Sequence, residues 1–396
     1  MSDHSATGAD ASEAGDSLRR PRIGIDLHVV DGIYQGSRTH CLELFSRVVA
    51  GTPECQFVLF LDQPSKLLEF SANFSLPNVR IVSMPHASAI WRLICQLPRL
   101  ARRERLDLLH TQYITPPFSG CRTAVTVHDI LFESHPQYFD TLFVARSRLL
   151  VRRSVRRSAE VFTVSEFSRN QIAVAYGISP DRIHTIFNGV DQARFFPGHD
   201  GTNAIRKAGL APGEYFLTVG RLEPRKNHAN LMRAWAALPV PRPRLAIVGA
   251  RHFGYDEALQ LREELGLTDE VTLFNDISDE DLPAFFRNAK AFVYCSWAEG
   301  FGMPILEAMA SGVPVISSPN TALREVCGDA ALLADPADVS AIRDAIYTVD
   351  TQPELRSDLI RRGLERVRNY TWIRAAMMVR EVYLDCLDMK SRVEPT

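Results

Sequence analysis

Trp297-Ala-Glu299-Gly300-Phe301-Gly302-Met303-Pro304-Ile-Leu-Glu307-Ala-Met-Ala-Ser-Gly312 is the run on which the reading of this chain turns. It follows an apolar run, Ala291–Tyr294, that predicts a buried strand. Pro304 suits a first helical turn and Gly312 a C-terminal cap, so the pattern is strand, glycine turn, helix. Gly300 and Gly302 permit close backbone approach, which leaves the free N–H groups of a helix start facing a ligand. Such a terminus attracts phosphate, and the helix dipole adds to the donors. Two carboxylates flank that position, Glu299 on the loop and Glu307 about one turn into the helix. An ionised carboxylate only accepts hydrogen bonds, so it suits the hydroxyls of a sugar or a ribose. The plain alternative is a capped helix with two solvated acids. The Gly-x-Gly-x-Pro between the acids favours a binding turn.

Working outward, the same alternation fills residues 198–372. Strands are expected at Tyr215–Val219, Leu245–Val248, Val271–Phe274, Ala291–Tyr294 and Pro314–Ile316, with helices between them and helices only from there to the end. Residues 21–197 repeat the pattern. Arg22-Ile-Gly-Ile-Asp-Leu-His-Val-Val reads as a first strand, followed by a loop from Asp31 to Gly36 and a helix from about Ser37 to Ala50. Further strands are expected at Gln56–Leu61, Val79–Val82, Asp107–His110, Thr123–His128, Val161–Val164 and Arg182–Ile186. Helical patterns cover Ser88–Arg103, Thr141–Arg157 and Glu166–Tyr176, and Asn188–Ala211 reads as turn-rich linker. The fold class is α/β: two Rossmann-like, doubly wound parallel sheets facing across a cleft. The terminal segment 373–396 is expected to pack back on the first unit, and residues 1–20 to form a disordered tail.

Composition narrows the function. The 396 residues suit two domains of about 150–200 residues each. A formal net charge of −2 gives no electrostatic case for nucleic acid. The seven cysteines are scattered, without zinc-ligand spacing, and read as small buried hydrophobes in a reducing compartment. No stretch reaches the ~18–20 apolar residues of a membrane span, and the N-terminus lacks the apolar core of a signal peptide. A cytoplasmic location is expected. A dinucleotide-dependent dehydrogenase is excluded because Asp31-Gly-Ile-Tyr-Gln-Gly36 lacks the Gly-x-Gly-x-x-Gly turn.

A second chemical signal is Val219-Gly220-Arg221-Leu-Glu-Pro-Arg-Lys226-Asn227. It places two cations, Arg221 and Lys226, at a strand end, spaced to reach one anion. Arg supplies a planar fork and Lys a compact charge, so the pair could neutralise a leaving diphosphate without a metal. A solvated basic turn is the alternative.

These two segments resemble glycosyltransferase family 4, retaining enzymes of GT-B fold. Arg221 and Lys226 match its diphosphate-binding pair, and Glu299 and Glu307 its Glu-x7-Glu motif. Thr126-Val-His128-Asp129-Ile, Phe162-Thr-Val-Ser165-Glu-Phe-Ser-Arg, Asn188-Gly-Val-Asp191 and Glu299-Gly-Phe-Gly-Met-Pro resemble the mannosyltransferase-like branch of bacterial polysaccharide and O-antigen biosynthesis. The resemblance implies a hexosyltransferase, with GDP-mannose the favoured donor and a glycan or lipid-linked saccharide as acceptor. It implies that Gly300, Phe301, Gly302 and Met303 offer amides to the donor, that Glu299 holds sugar hydroxyls and Glu307 the ribose. It places His128 against the donor sugar, the segment Phe274–Ile277 along the base with Ile277 in the site, and Gly36 close to the phosphates. It assigns residues 21–197 to the acceptor and 198–372 to the donor.

The first loop departs from the family pattern, with Ser37 between Gly36 and Arg38, which leaves Arg38 without an assigned role. No Asp-x-Asp sits at a strand end, so no metal is expected. The basic stretch Arg146–Arg157 reads either as a docking face for an anionic membrane or as a solvated helix face. A sugar-nucleotide epimerase of the same architecture, or a non-catalytic nucleotide-sugar-binding protein, is the alternative function.

Overall fold

The computed structural model describes residues 19–32, 36–250 and 255–389. Residues 1–18 of the expected tail, Ile33–Gln35 of the first loop and residues 390–396 lie outside the described residues.

Strands β1 (Arg22–Asp26), β2 (Gln56–Leu61), β3 (Val79–Ser83), β4 (Leu108–Gln112), β5 (Arg122–Thr126), β6 (Glu160–Thr163) and β7 (Ile183–Thr185) form one sheet, in the order β3-β2-β1-β4-β5-β6-β7. Strands β8 (Tyr215–Val219), β9 (Arg244–Val248), β10 (Val271–Phe274), β11 (Ala291–Tyr294), β12 (Val315–Ser317) and β13 (Ala331–Leu333) form the second, in the order β10-β9-β8-β11-β12-β13. Every pairing is parallel. Helices cover both faces, which is why the strands read as near-continuous apolar runs rather than alternating ones.

Each sheet reverses its strand order once, between β1 and β4 and between β8 and β11. Loops leaving those four carboxyl ends diverge and open a crevice, the usual ligand position in such sheets. Register fixes what reaches it. Ile25 on β1 pairs with His110 on β4, so Asp26 and Gln112 close their strands at the crevice.

The final helix, Trp372–Cys386, packs against the first sheet rather than the second. Its Trp372, Ala375, Val379 and Tyr383 share one core with Phe45, Val49, Phe57 and Leu59. Thr371 caps this helix by accepting from the amide of Arg374, and Tyr383 hydrogen-bonds the ring of buried His110.

Three differences from the sequence reading have local causes. β13 is a strand where only helices are expected; its three residues are all half-buried and give too short a run to read. A helix, Thr202–Lys207, forms inside the expected linker, started by Gly201 in the left-handed region at φ 79° and anchored by one buried residue, Ile205. The helix expected over Ser88–Arg103 is interrupted by a π turn at Arg92–Gln96. The seven cysteines are unpaired, five buried and Cys95 and Cys121 half-buried.

Candidate active site

A cleft of about 940 Å³ lies between the carboxyl ends of the two sheets. From the second sheet it is lined by Arg221, Lys226, Glu299, Gly300, Phe301, Gly302, Met303 and Glu307, and from the first half by Gly36 and His128. Ile277 is not among its lining residues; it packs on the hydrophobic core of the second half, and Leu282 takes a place in the wall instead. Arg38 lines a separate cavity of about 210 Å³ with Glu43, Arg194 and Asp279.

The glycine turn ends β11 and starts the helix Met303–Ala310. Gly302 sits at the N-cap with φ 102°, a conformation that L side chains rarely adopt, and among the described residues no side chain caps the helix. The amides of Gly300, Phe301, Gly302 and Met303 find no acceptor among the described residues. A helix tip of this kind holds anions. Phe301 contributes backbone only, because its ring is buried in the core against Tyr370. Met303 touches the cores of both halves, and a Cβ on Gly36 would meet its methyl at 3.0 Å.

Beside the turn lies a charged cluster that the sequence reading described only in part. Lys226 Nζ donates to Glu299 Oε1 at 2.7 Å and to the Tyr294 hydroxyl at 2.5 Å. Tyr294 in turn donates to Glu299 Oε1 at 3.1 Å. Arg225, not singled out from sequence, holds the other oxygen, with Nη1 2.8 Å from Glu299 Oε2. Arg225 also donates to the carbonyl of Ala298 at 2.6 Å and pairs with Glu223 at 2.5 Å. Arg221 stays outside this network: it is one-third exposed, and its closest acid, Glu223, is 3.7 Å away. The reason is the 3-10 turn Pro224–Lys226, which carries Arg225 and Lys226 inward together while Arg221 remains on the cleft wall. Only the position of Arg225 within the Glu-Pro-Arg-Lys run hinted at this.

Burial shifts these groups in opposite directions. Burial alone would raise Glu299, but Arg225 and Lys226 overcome it and hold the carboxyl down at about 2. Glu299 is therefore a permanent carboxylate. Burial lowers Lys226 despite the attraction of Glu299. Among the described residues no cation is in hydrogen-bond contact with Glu307. Burial raises it to about 7, with Arg194 opposing and Asp279 adding to the rise.

Across the cleft, His128 Nε2 lies 3.1 Å from Gln112 Oε1 and its ring edge meets His40 with centroids 4.6 Å apart. Burial lowers His128 well below the usual histidine value, and the neighbouring His40 and His110 add to the effect. His40 itself, bonded to Asn188 Oδ1 at 2.7 Å, is pushed down to about 4 by burial. His128 thus faces the cleft as a neutral ring. Asp129, next in the chain, packs on the backbone of Gly300, and burial raises its carboxyl.

The two halves are also stitched together beside the turn. Ser165 donates from its hydroxyl to the carbonyl of Gly300 at 2.8 Å. Glu325, on the helix Thr321–Cys327, accepts from the amides of Glu166 and Phe167 at 2.9 and 3.0 Å. That carboxylate caps the helix Glu166–Tyr176 of the first half from the second.

Among the described residues, no group of three or more His, Cys, Asp or Glu side chains is placed to hold a metal ion, and no helix is long and apolar enough to cross a membrane.

Two facing parallel sheets with an amide-lined helix tip and basic residues in the cleft between them define a glycosyltransferase of GT-B architecture. The chain belongs to glycosyltransferase family 4: residues 34–194 match Glycosyltransferase Family 4 and residues 202–366 match Glycosyl transferases group 1. It is 36% identical over 256 residues to O-antigen chain mannosyltransferase B of Escherichia coli, covering 63% of this chain and 67% of that one. It is 32% identical over 271 residues to O-antigen chain mannosyltransferase RfbU of Salmonella typhimurium, covering 66% and 68%. Sucrose-phosphate synthase from Thermosynechococcus elongatus has the same fold, with a TM-score of 0.74 at 20% identity over 93% of this chain and all of that one. The protein is thus an enzyme that transfers a sugar from a nucleotide-sugar donor to an acceptor in the manner of its family.

Proposed function

We propose that the transferred sugar is mannose, that GDP-mannose is the donor, and that transfer to a growing cell-surface glycan retains the anomeric configuration. The observation that carries this reading is the convergence of Arg221, Lys226, Glu299 and the free amides of Gly300–Met303 on one cleft wall, with neutral His128 opposite. The names of the two O-antigen mannosyltransferases support mannose.

In this mechanism the donor diphosphate lies between the helix tip at Met303 and the cations Arg221 and Lys226. Glu299 accepts from sugar hydroxyls, Glu307 from the ribose, and His128 meets the sugar near its reacting carbon. The bond from the anomeric carbon to the phosphate oxygen breaks as the acceptor hydroxyl oxygen bonds to that carbon on the same face. The hydroxyl proton passes to the departing phosphate oxygen. Two cations and four amides stabilise the charge that develops there, which is the role a metal would otherwise take. Front-face substitution fits the carboxylates present, since Glu299 is engaged by Arg225 and Lys226, and Asp129 Oδ1 by the amide of Leu131.

Contact of Arg146–Arg157 with an anionic membrane competes with intramolecular roles for the same arginines. Arg146 lines the cleft, Arg148 pairs with Glu133, and Arg153 and Arg156 donate to the carbonyls of Pro117 and Tyr176. Exposed Arg152 and Arg157, with exposed Leu142 and Leu149, remain for a lipid surface.

Thermal-shift titration against GDP-mannose, UDP-glucose and the free diphosphates tests the donor. GDP-mannose is expected to raise Tm most, and EDTA to leave both that shift and transfer unchanged. Preferential stabilisation by uridine nucleotides would remove GDP-mannose, and a strict Mn²⁺ or Mg²⁺ requirement would remove the metal-free mechanism.

Glu307 adds a pH prediction. In the free cleft it is protonated below about 7, whereas the ribose contact needs the carboxylate. Binding therefore releases a proton at low pH, and donor affinity rises with pH. Between pH 8 and pH 6 the Kd for GDP-mannose is expected to weaken by about tenfold, and Glu307→Gln to flatten the slope. Calorimetric titration at three pH values decides it; an unchanged slope in the Gln variant would separate Glu307 from the ribose.

A further inference from the structure

The direction of each amide in the glycine turn is fixed by the carbonyl of the residue before it. Carbonyl and N–H share one planar trans unit and point opposite ways, so whatever holds the oxygen aims the amide. For the amide of Gly300 that holder lies in the second half: the carbonyl of Glu299 accepts from the amide of Ala322 at 3.4 Å. For Met303 it is the turn's own helix, where the carbonyl of Gly302 accepts from the amide of Ile305 at 3.0 Å. Phe301 differs. The Gly300 carbonyl before it accepts from the hydroxyl of Ser165 at 2.8 Å and, more weakly, from that of Ser168 at 3.4 Å. Both serines belong to the first half.

Ser165 is set up for this contact by its place in the chain. It is the N-cap of the helix Glu166–Tyr176, and its Oγ accepts from the amide of Ser168 at 3.1 Å. A hydroxyl engaged as an acceptor on one side keeps its single proton for a bond on another. Glu325 takes the amides of Glu166 and Phe167, so the same helix start is satisfied without further demand on the serine. Ser165, Ser168 and Gly300 are all buried, which makes the bond to the Gly300 carbonyl costly to lose while the halves are joined.

The peptide that Ser165 holds is one that can turn. Gly300 on its near side has no side chain to restrain rotation, whereas the ring of Phe301 anchors the far side in the core. Among the described residues, both bonds to the Gly300 carbonyl come from across the cleft.

We propose that Ser165 is a positioning residue for transfer: by holding the Gly300 carbonyl it aims the Phe301 N–H at the donor's leaving group. This amide is then in place only when the first half meets the second, and the proposal rests on the large cleft being the donor site. The first half thereby stabilises developing charge without touching the donor. A donor group fixed beforehand is effective because nothing reorients as charge develops. Sugar nucleotide bound to separated halves lacks this amide, so cleavage waits for their closure.

Residues 300–301 are the only Gly-Phe step in the sequence. Full-length protein carrying ¹³C at glycine carbonyls and ¹⁵N at phenylalanine therefore gives a single carbonyl-to-amide cross-peak by NMR, which reports this peptide alone. In the free protein, Ser165→Ala should move the Gly300 carbonyl carbon upfield, as loss of a hydrogen bond requires. Adding GDP-mannose, or UDP-glucose if that is the nucleotide bound, should move the Phe301 amide proton downfield in wild type and leave it nearly in place in Ser165→Ala. The same variant should lose about tenfold in kcat, with KM for the sugar nucleotide within about threefold, because Arg221, Lys226 and the other amides still hold the donor. Ser165→Thr keeps the hydroxyl and should restore both kcat and cross-peak. Loss of a helix cap alone would lower Tm and leave a peptide of the other half undisturbed. An unmoved carbonyl in Ser165→Ala, a donor-induced Phe301 shift equal to wild type, or a folded threonine variant no better than alanine would overturn the proposal. Failure of wild type to bind either nucleotide would instead sink the donor reading, and the carbonyl shift in the free protein would then decide the Ser165 contact by itself.

Discussion

Lys226→Ala is expected to lower kcat/KM for sugar transfer by about 10²–10³-fold, the loss typical of removing one charge-stabilising donor from a leaving group. The lysine is buried to 12% exposure and already bonded to Glu299 and Tyr294, so its position is set before donor arrives. That preorganisation is what makes its charge effective, since nothing must be reoriented as the phosphate leaves. The fold should survive the change, because Glu299 keeps its contact with Arg225 at 2.8 Å. The effects of Lys226→Ala and Glu299→Gln should not add. Each removes half of one ion pair, and the double variant should lose less than the product of the two single losses. Arg221→Ala, at the exposed edge, should cost less than Lys226→Ala. Steady-state kinetics with the sugar nucleotide, alongside thermal melts, provide the check; a Lys226→Ala enzyme within about threefold of wild type would remove the lysine from the leaving-group site.

The fold was readable because both sheets are buried on two faces, which writes each strand as an apolar run between turn residues. β8 and β11 were legible to the residue for that reason. β13 was not, being three residues long and half-buried. The site divides along the same line. Gly300 and Gly302 announce a turn that only glycine serves, and Glu299 and Glu307 lie at fixed offsets from it within one local segment. The partnership of Glu299 with Arg225 spans 74 positions and depends on which way a 3-10 turn faces, which no local pattern encodes. His128 owes its neutrality first to burial among elements far apart in the chain and then to His40 and His110 beside it. Ile277 is ambiguous for the converse reason: a hydrophobic residue after a strand serves a core as readily as a cleft, and here it packs half-buried against the core of the second half.

Gly300→Ala should abolish transfer, by about 10³-fold or more, while leaving nucleotide binding to the second half nearly intact. A Cβ at this position would lie 2.5 Å from Asp129 Oδ2 and 2.7 Å from Asp129 Cβ. Neither atom can easily retreat, because Oδ1 of the same carboxyl accepts from the amide of Leu131 at 3.1 Å. The clash lies between the two halves, not within one, so it opposes their approach rather than the folding of either. It also falls beside the contacts that join them. Ser165 donates to the carbonyl of Gly300, and Glu325 caps the amides of Glu166 and Phe167. Separation breaks these together, which gives a readout independent of catalysis: amide exchange at Glu166 and Phe167 should accelerate in Gly300→Ala. Asp129→Ala would not relieve the clash, since its own Cβ remains, whereas Asp129→Gly removes the three atoms nearest the new methyl. The double variant Gly300→Ala/Asp129→Gly should therefore regain slow exchange at the two amides. Protection in Gly300→Ala equal to wild type would mean that the halves approach without needing the missing side chain, and the steric account of this glycine would fall.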